Sequence, residues 1–356
     1  MKKGSLVPSI SGLLLLVVLA SCAPPPTALP IAPPSAAPVA TVTPAPTAEP
    51  PIPLKVGIFN FVSHAPIYFA LAEGYFAEEG LEVELVSFTS SAEFVPALAT
   101  GEIDVASFFL AASVFNAIRE GINLKYVADK GFLDPDSCPS DAWVASKQAL
   151  AAGLADPPTI KGKNVAVSLS GGTGAYSLDL LLAEGGLTPK DINSVNITDF
   201  AARVEGLRNG SLDVAHLPEP WITVAQSSGA GEIWVPFSEV MPHLPMGIIV
   251  YGPSILDENR EAGVRFMTAF LRGVEQYNEG KTDRNVELIA EFTKLAPEVI
   301  KAACWTSIRA DGSVDAEGML AFQQWLLENG MVDEVLELDQ FWTDQFLVEA
   351  AKRLGR

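Results

Sequence analysis

The sequence predicts an α/β protein of two look-alike lobes joined by a two-strand hinge, with a ligand cleft between them. Three observations carry that expectation. Short apolar runs and helical patterns alternate from residue 54 onward, the arrangement that builds a largely parallel sheet covered on both faces. One unit occurs twice in register, LATGEIDVA at 98–106 and LRNGSLDVA at 207–215, so each half makes the same supersecondary piece. Beyond residue 251 the chain turns mostly helical and has no sheet of its own to complete. Those helices must pack back on the first half, and the chain therefore crosses between halves twice.

In order, residues 54–59 are an apolar strand, and helical periodicity over 67–79 places Tyr68, Leu71, Ala72 and Phe76 on one face before Gly80 stops it. A strand at 81–86, a helix at 92–100 ended by Gly101, a strand at 103–106, a helix to about Glu120 and a strand at 123–128 follow. The second half repeats the plan with strand 165–168, helix 175–184, strand 195–197, helix 201–209 ended by Gly210, and strand 212–215. A strand at 246–251 leads to an amphipathic pattern over 257–278. Trp305, Phe322, Trp325, Phe341, Trp342 and Phe346 then recur at helical spacing and are expected in the core. Crossings near 141–146 and 244–247 divide the body into a first lobe, 54–142 plus 246–356, and a second, 143–245. Two connections make a hinge.

The N-terminus carries Lys2 and Lys3, an apolar run at 13–19, and Leu19-Ala20-Ser21-Cys22. This is the pattern of a lipoprotein signal peptide over 1–21, whose removal leaves an acylated Cys22 as the membrane anchor. Residues 22–53, rich in Pro, Ala and Thr, cannot bury a core and form an extended tether. A net charge of −20 leaves no basic surface to displace counterions from phosphates, so nucleic acid is excluded as a partner. Cys138 and Cys304 can be bridged in an oxidising compartment, but spacing alone leaves that open.

Open α/β sheets bind ligands where their strands end. That rule selects 60–64, 87–91, 107–109, 168–173 and 216–221, and within or beside them Asn60, Phe61, Ser63, His64, Ser107, Phe108, Ser170, Gly171, Gly172, Thr173, Tyr176, Glu219 and Trp221. The small-residue loop at the mouth of a helix, SLSGGTGAY at 168–176, presents backbone N–H groups to a polar ligand. It lacks the spacing and the lysine of a nucleotide loop. These ends hold hydroxyls, amides and aromatics but no lysine or arginine, which disfavours a sulfonate, nitrate or phosphate. Glu219 beside Trp221 favours a neutral ring with N–H or O–H donors, stacked on faces such as Phe61, Phe108 or Trp221. His64, His216 and His243 are scattered, and GxSxG, HExxH and CxxC are missing. No catalytic residue, metal or cofactor is expected, and Glu219 reads as a binding carboxylate rather than a general base.

The run KVGIFNFVSHAPIYFALAEGYFAEEGLEVELV from Lys55, the two GxxDVA segments, IKGKNVAVSLSGGTGAYSLDLLLAEGGLTPKDI from Ile160, and PEPW at 218–221 resemble the ABC-importer solute-binding proteins of the thiamine-precursor, taurine and nitrate group. The resemblance spans 54 to about 330. It implies a periplasmic-binding-protein type II fold, capture of a small molecule between lobes, and delivery to a membrane permease driven by a cytoplasmic ATPase. Within the group the tether and aromatic loop ends look most like the binding lipoprotein of the riboflavin importer. That implies riboflavin or a related heteroaromatic as ligand, with a thiamine-precursor pyrimidine, or an enzyme of the same fold acting on a pyrimidine, as alternatives. It also implies a monomer, lipid-anchored on the extracytoplasmic face of the cell membrane.

Overall fold

The computed structural model describes residues 50–88, 93–168 and 171–356. Cys22, the expected leader and nearly all of the expected tether lie outside them. The described chain runs through β1 (Ile52–Ile58), α1 (Ala65–Ala72), α2 (Tyr75–Glu78), β2 (Leu81–Ser87), α3 (Phe94–Ala99), β3 (Val105–Phe109), α4 (Ala112–Arg119) and β4 (Lys125–Phe132). It continues with β5 (Asp141–Ser146), α5 (Lys147–Ala151), β6 (Asn164–Val167), α6 (Thr173–Glu184), β7 (Asn193–Asn196), α7 (Phe200–Asn209), β8 (Val214–Pro218), α8 (Trp221–Ser227), β9 (Gly231–Pro236) and α9 (Phe237–Val240). Last come β10 (Pro245–Tyr251), α10 (Arg260–Asn278), α11 (Asp283–Thr293), α12 (Pro297–Ala302), α13 (Ala316–Glu328), α14 (Leu338–Phe341) and α15 (Gln345–Arg353).

Two five-stranded sheets result, ordered β2-β1-β3-β10-β4 and β7-β6-β8-β5-β9. They are mixed rather than largely parallel. β1 runs parallel to β2 and β3, while β10 lies antiparallel between β3 and β4, and β5 lies antiparallel between β8 and β9. The reason is the path of the chain. β5 and β10 are the strands entered directly from the other sheet, so they begin at the cleft edge, where the parallel strands end, and must run away from it. The stretch 141–146, expected as a crossing, is therefore a fully buried strand, and the passages between sheets are 133–140 and 237–244. The helix expected over 67–79 is two helices, broken at Gly74, whose φ is +80°.

The duplicated unit has one structural task in both sheets. Gly101 and Gly210 end α3 and α7 with φ of +70° and +76°, a left-handed turn that glycine takes without steric penalty. The aspartate three residues on then pins the following strand. Asp104 Oδ2 accepts from the backbone N–H of Lys55 at 2.8 Å, and Asp213 Oδ2 accepts from that of Asn164 at 2.8 Å. Their backbones repeat the match: Asp104 N donates to Lys55 O and Asp213 N to Asn164 O, each at 2.9 Å, and their carbonyls accept from Gly252 N and Ser146 N. One short sequence thus sets the register of three strands in each sheet.

Apolar burial follows the expected pattern. α10 inserts Val264, Phe266, Met267, Phe270 and Val274 beneath the first sheet, against α1 and α15. Phe322, Phe341 and Phe346 are buried, Trp325 nearly so, and Trp305 and Trp342 are half-buried, so the C-terminal helices close over the first sheet. Cys138 and Cys304 form a disulfide with Cα atoms 5.8 Å apart and a sequence separation of 166. It ties the first passage between sheets to the segment after α12, and the loop it closes contains the whole second sheet.

Two outcomes are expected. Asp213→Ala strips the acceptor from Asn164 N and lowers stability by about 1–2 kcal/mol, whereas Asp213→Asn, which keeps an oxygen, loses less. Urea midpoints of the pair read this out. Removing the bridge in a Cys138→Ser, Cys304→Ser double variant costs up to about 5 kcal/mol on a chain-entropy estimate for so long a loop, and adding a reductant to the wild type should lower the thermal midpoint by a similar shift.

Candidate functional site

The carboxyl ends of β1, β3 and β4 and the first residues of β10, all of one sheet, meet the carboxyl end of β8 and the first residue of β5, both of the other, across a cleft. It holds about 290 Å³ of non-atom space, part of it open to solvent, and is lined by Phe61, Ser63, Phe109, Lys130, Gly131, Ser140, Asp141, Pro218, Glu219, Met246, Gly247 and Thr306. β1 delivers Phe61 and, through the single turn Val62–His64, Ser63. β3 ends on Phe109, whose ring centroid lies 5.9 Å from that of Phe61. The cleft therefore has an aromatic wall and a charged floor.

Lys130, on β4, is 1% exposed. Its Nζ donates to Ser63 Oγ at 3.0 Å and lies 5.7 Å from the centre of the Phe109 ring. Burial pushes its ammonium down to about 7, opposed by the carboxylates of Asp141 and Asp129. Asp141, the first residue of β5, is 4% exposed. Burial pushes its carboxyl up to about 8, against the pull of Lys130 and Ser140, and nearby Glu219 adds to the rise. Asp141 Oδ1 lies 3.3 Å from His216 Nε2, and Ser140 Oγ donates to Oδ2 at 3.4 Å. Burial first and the Arg203 guanidinium second hold His216 well below its ordinary value, so the ring is neutral. Arg203 braces this strand end from behind, donating to His216 O at 2.7 Å and Ile197 O at 2.8 Å.

The other two carboxylates are already engaged. Glu219 accepts from Thr223 N at 3.0 Å, Thr223 Oγ1 at 2.9 Å and Cys304 N at 2.9 Å. Burial raises its pKa and those three donors work against the rise. Asp129 accepts from Gly131 N and Arg309 N, both at 3.0 Å, with the Arg309 guanidinium 3.9 Å away. Among the described residues no group of three His, Cys, Asp or Glu side chains stands close enough together to hold a metal ion.

A family model described as the NMT1-like family matches residues 47–292, a span that takes in both sheets. The chain belongs to the NMT1-like family. A Bacillus subtilis (strain 168) protein, YtlA, provisionally named as a binding protein, is 23% identical over 288 residues, covering 79% of this chain and 82% of its own length. The ligand-binding component of an ABC-type import system from Staphylococcus aureus, solved with zinc bound, superimposes with a TM-score of 0.70 at 16% identity, over 84% of this chain and 99% of that one. The periplasmic nitrate-binding protein NrtA from Synechocystis PCC 6803 does so at 0.71 and 16%, over 85% and 89%. At these identities the likeness is one of fold, the two-lobed fold of periplasmic binding proteins. Another chain of that fold, at 0.63 and 14%, over 85% and 99%, is named as the desulfurization enzyme DSZB.

In this NMT1-like chain the sequence-selected residues scatter around the cleft. Phe61, Ser63 and Glu219 line it. His64 and Ser107 lie behind its wall, fully buried, with His64 Nε2 2.8 Å from Ser107 O. Phe108 is core, stacked 4.8 Å from Phe94, because successive strand residues face opposite sides and the neighbour Phe109 is the one at the cleft. Asn60 accepts from Ser87 Oγ at 3.3 Å at the exposed rim. Trp221 starts α8 and packs, half-buried, in the second lobe's core rather than on the cleft. Ser170 lies outside the described residues.

The described end of the glycine loop contacts the other lobe. Gly171 O accepts from Ala112 N at 3.0 Å, and Gly172 bridges to Ala111, so the loop is joined to the start of α4 in the first lobe. Thr173 is buried at the start of α6. Tyr176 sits against Phe322 and Trp325, at 5.5 and 5.2 Å. The expectation that the strand ends carry no basic residue is overturned by Lys130. The signal is present in the sequence: Asp129-Lys130 is a charged pair at the end of a strand parallel to β3, but the apolar run stops at Ala128 and the pair reads as the start of a loop.

The raised Asp141 carboxyl has a consequence for stability. Its native state binds a proton more tightly than the unfolded chain does, so the stability it contributes is present at low pH and is lost as pH rises towards about 8. Between pH 5 and pH 7.5 the wild type should lose on the order of 2 kcal/mol more than Asp141→Asn, as read from urea midpoints of the two proteins.

Proposed function

We propose that this NMT1-like protein is the substrate-binding lipoprotein of an ABC importer, held to the extracytoplasmic face of the cell membrane through Cys22 and handing its ligand to a permease and its ATPase. The observation that carries the reading is the cleft itself. Two pinned sheets point their strand ends at one small space in which an aromatic wall faces the Lys130 and Asp141 floor. The Cys138–Cys304 bridge supports an oxidising compartment outside the cytoplasm. Binding rather than chemistry is favoured because Glu219 is saturated by protein donors and His216 is buried and neutral.

The ligand class is a vitamin-type heteroaromatic. Phe61 and Phe109 take its ring face, Lys130 an acceptor on its edge, and Asp141 a donor. As the lobes stand the cleft has room for little more than a water molecule, so a pyrimidine and riboflavin alike require them to part.

The test is titration of the purified protein with riboflavin, followed by flavin fluorescence, and with a hydroxymethyl aminopyrimidine, followed calorimetrically. Saturable one-to-one binding of one of them is expected, and Lys130→Met should weaken it by at least about 10-fold, the loss of one charge-assisted hydrogen bond. Both ligands failing at high protein concentration would remove the heteroaromatic assignment, and recovery of a chemically altered ligand would favour an enzyme.

A further inference from the structure

Lys130 is the one cation among the residues lining the cleft, and two irregularities of the first sheet bring it there. Gly247 of β10 pairs with Gly131 of β4, but its neighbour Ile248 pairs with Asp129. Lys130 is therefore left without a partner on β10, the extra residue of a β-bulge, a feature that bends a strand and re-aims a side chain. The side chain runs across β10 towards β3. Its Nζ donates to Ser63 Oγ at 3.0 Å and lies 5.7 Å from the centre of the Phe109 ring.

The second irregularity is Gly247 itself. It is buried in the middle of the sheet, between β3 and β4, where glycine weakens a strand and often marks the close approach of another group. Its φ is not in the left-handed region, so the backbone does not call for glycine. The neighbouring side chain does: a Cβ at 247 would stand 2.5 Å from Lys130 Cε and 2.7 Å from Nζ. Gly247 also pairs directly with Phe109, and residues directly opposite on antiparallel strands share a face. A side chain at 247 would thus occupy the space beside the aromatic wall in which the Lys130 head now rests. Van der Waals separation would require Cε to retreat by about 1 Å, and a shift on that scale is enough to lose a hydrogen bond.

We propose that Gly247 is a positioning residue of this site: its missing side chain is the seat of the Lys130 head, and so fixes the point at which a ligand's acceptor is met. The seat is a matter of space and is the same whether Lys130 is an ammonium or an amine. Alanine at 247 would leave a ligand the same aromatic wall but move the donor away from it. The seat stands on geometry alone, while its service to binding rests on the reading above that the cleft is the ligand site, but not on which ligand fills it.

The experiment compares the wild type, Gly247→Ala, Lys130→Ala and the Gly247→Ala, Lys130→Ala double variant. In protein isotope-labelled at the lysine ε-carbons, the NMR signal of Lys130 is the one lost in Lys130→Ala, and it is followed through a pH titration. Asp129, Asp141 and His64, the titratable groups it interacts with, are the same in all four proteins. Gly247→Ala should move that signal and raise its midpoint from about 7 towards the ordinary lysine value, as expected of a head driven from a dry seat. It should also lower the thermal midpoint. In the Lys130→Ala background the same change should be neutral or stabilising, because the clash has gone and alanine costs a strand less than glycine. Riboflavin or the hydroxymethyl aminopyrimidine, whichever the wild type binds, should bind Gly247→Ala at least about 10-fold more weakly, with no further loss in the Lys130→Ala background. A Lys130 signal and midpoint unchanged in Gly247→Ala overturn the proposal, and so does an equal loss of thermal midpoint in both backgrounds, which is what a purely structural glycine would show. Should Gly247→Ala not fold alone, folding restored by Lys130→Ala supports the seat, and folding not restored overturns it. A wild type that binds neither heteroaromatic retires that ligand assignment, and the NMR and thermal comparisons still decide the seat.

Discussion

The short passage over residues 133–140 constrains everything that happens in the cleft. It joins the end of β4 to the start of β5, so whatever the sequence places just before and just after it is delivered to the same small volume. Here those residues are Lys130 and Asp141, one ammonium and one carboxyl, both withdrawn from water. Desolvation on that scale favours the uncharged form of each group, lowering Lys130 and raising Asp141, and the attraction between the two opposes it only in part. The direction of β5 and of β10, the mixed character of both sheets and the chemistry of the cleft follow from one path of the chain.

The fold was legible in the sequence wherever local pattern and tertiary role coincide. The paired LATGEIDVA and LRNGSLDVA segments announced two equivalent lobes, and the structure gives the reason for their likeness: a left-handed glycine followed by an aspartate that fastens strands together. Their likeness is architectural. What periodicity does not reveal is strand direction, because an apolar run such as Asp141–Ser146 reads alike whichever way it points, and its place between the two halves reads as a crossing. β9 is hidden for a related reason, since its only strand partner is β5 among the described residues.

The site was less legible than the fold. Loop-end reasoning selects Phe61, Ser63 and Glu219, which line the cleft, and Phe108, whose side chain the strand's two-residue alternation turns into the core while Phe109 comes forward. Trp221 was attractive by composition, but its helix directs it into the second lobe's apolar cluster. The glycine loop has the composition of a ligand cradle, and its described end is also a contact between lobes, a role set by what lies opposite it in space. Lys130 escaped because a lysine near the end of an apolar strand reads as a rim residue until its burial is known. Charge in a cleft of this kind is a property of three strands and a passage together, and no window of sequence contains it.

The disulfide also bears on how the chain meets a protease. Because Cys138 and Cys304 embrace the whole of the second sheet, a protease that clips any surface turn between them severs the backbone without parting the molecule. The two fragments stay joined through Cys138 and Cys304 until the sulfurs are reduced.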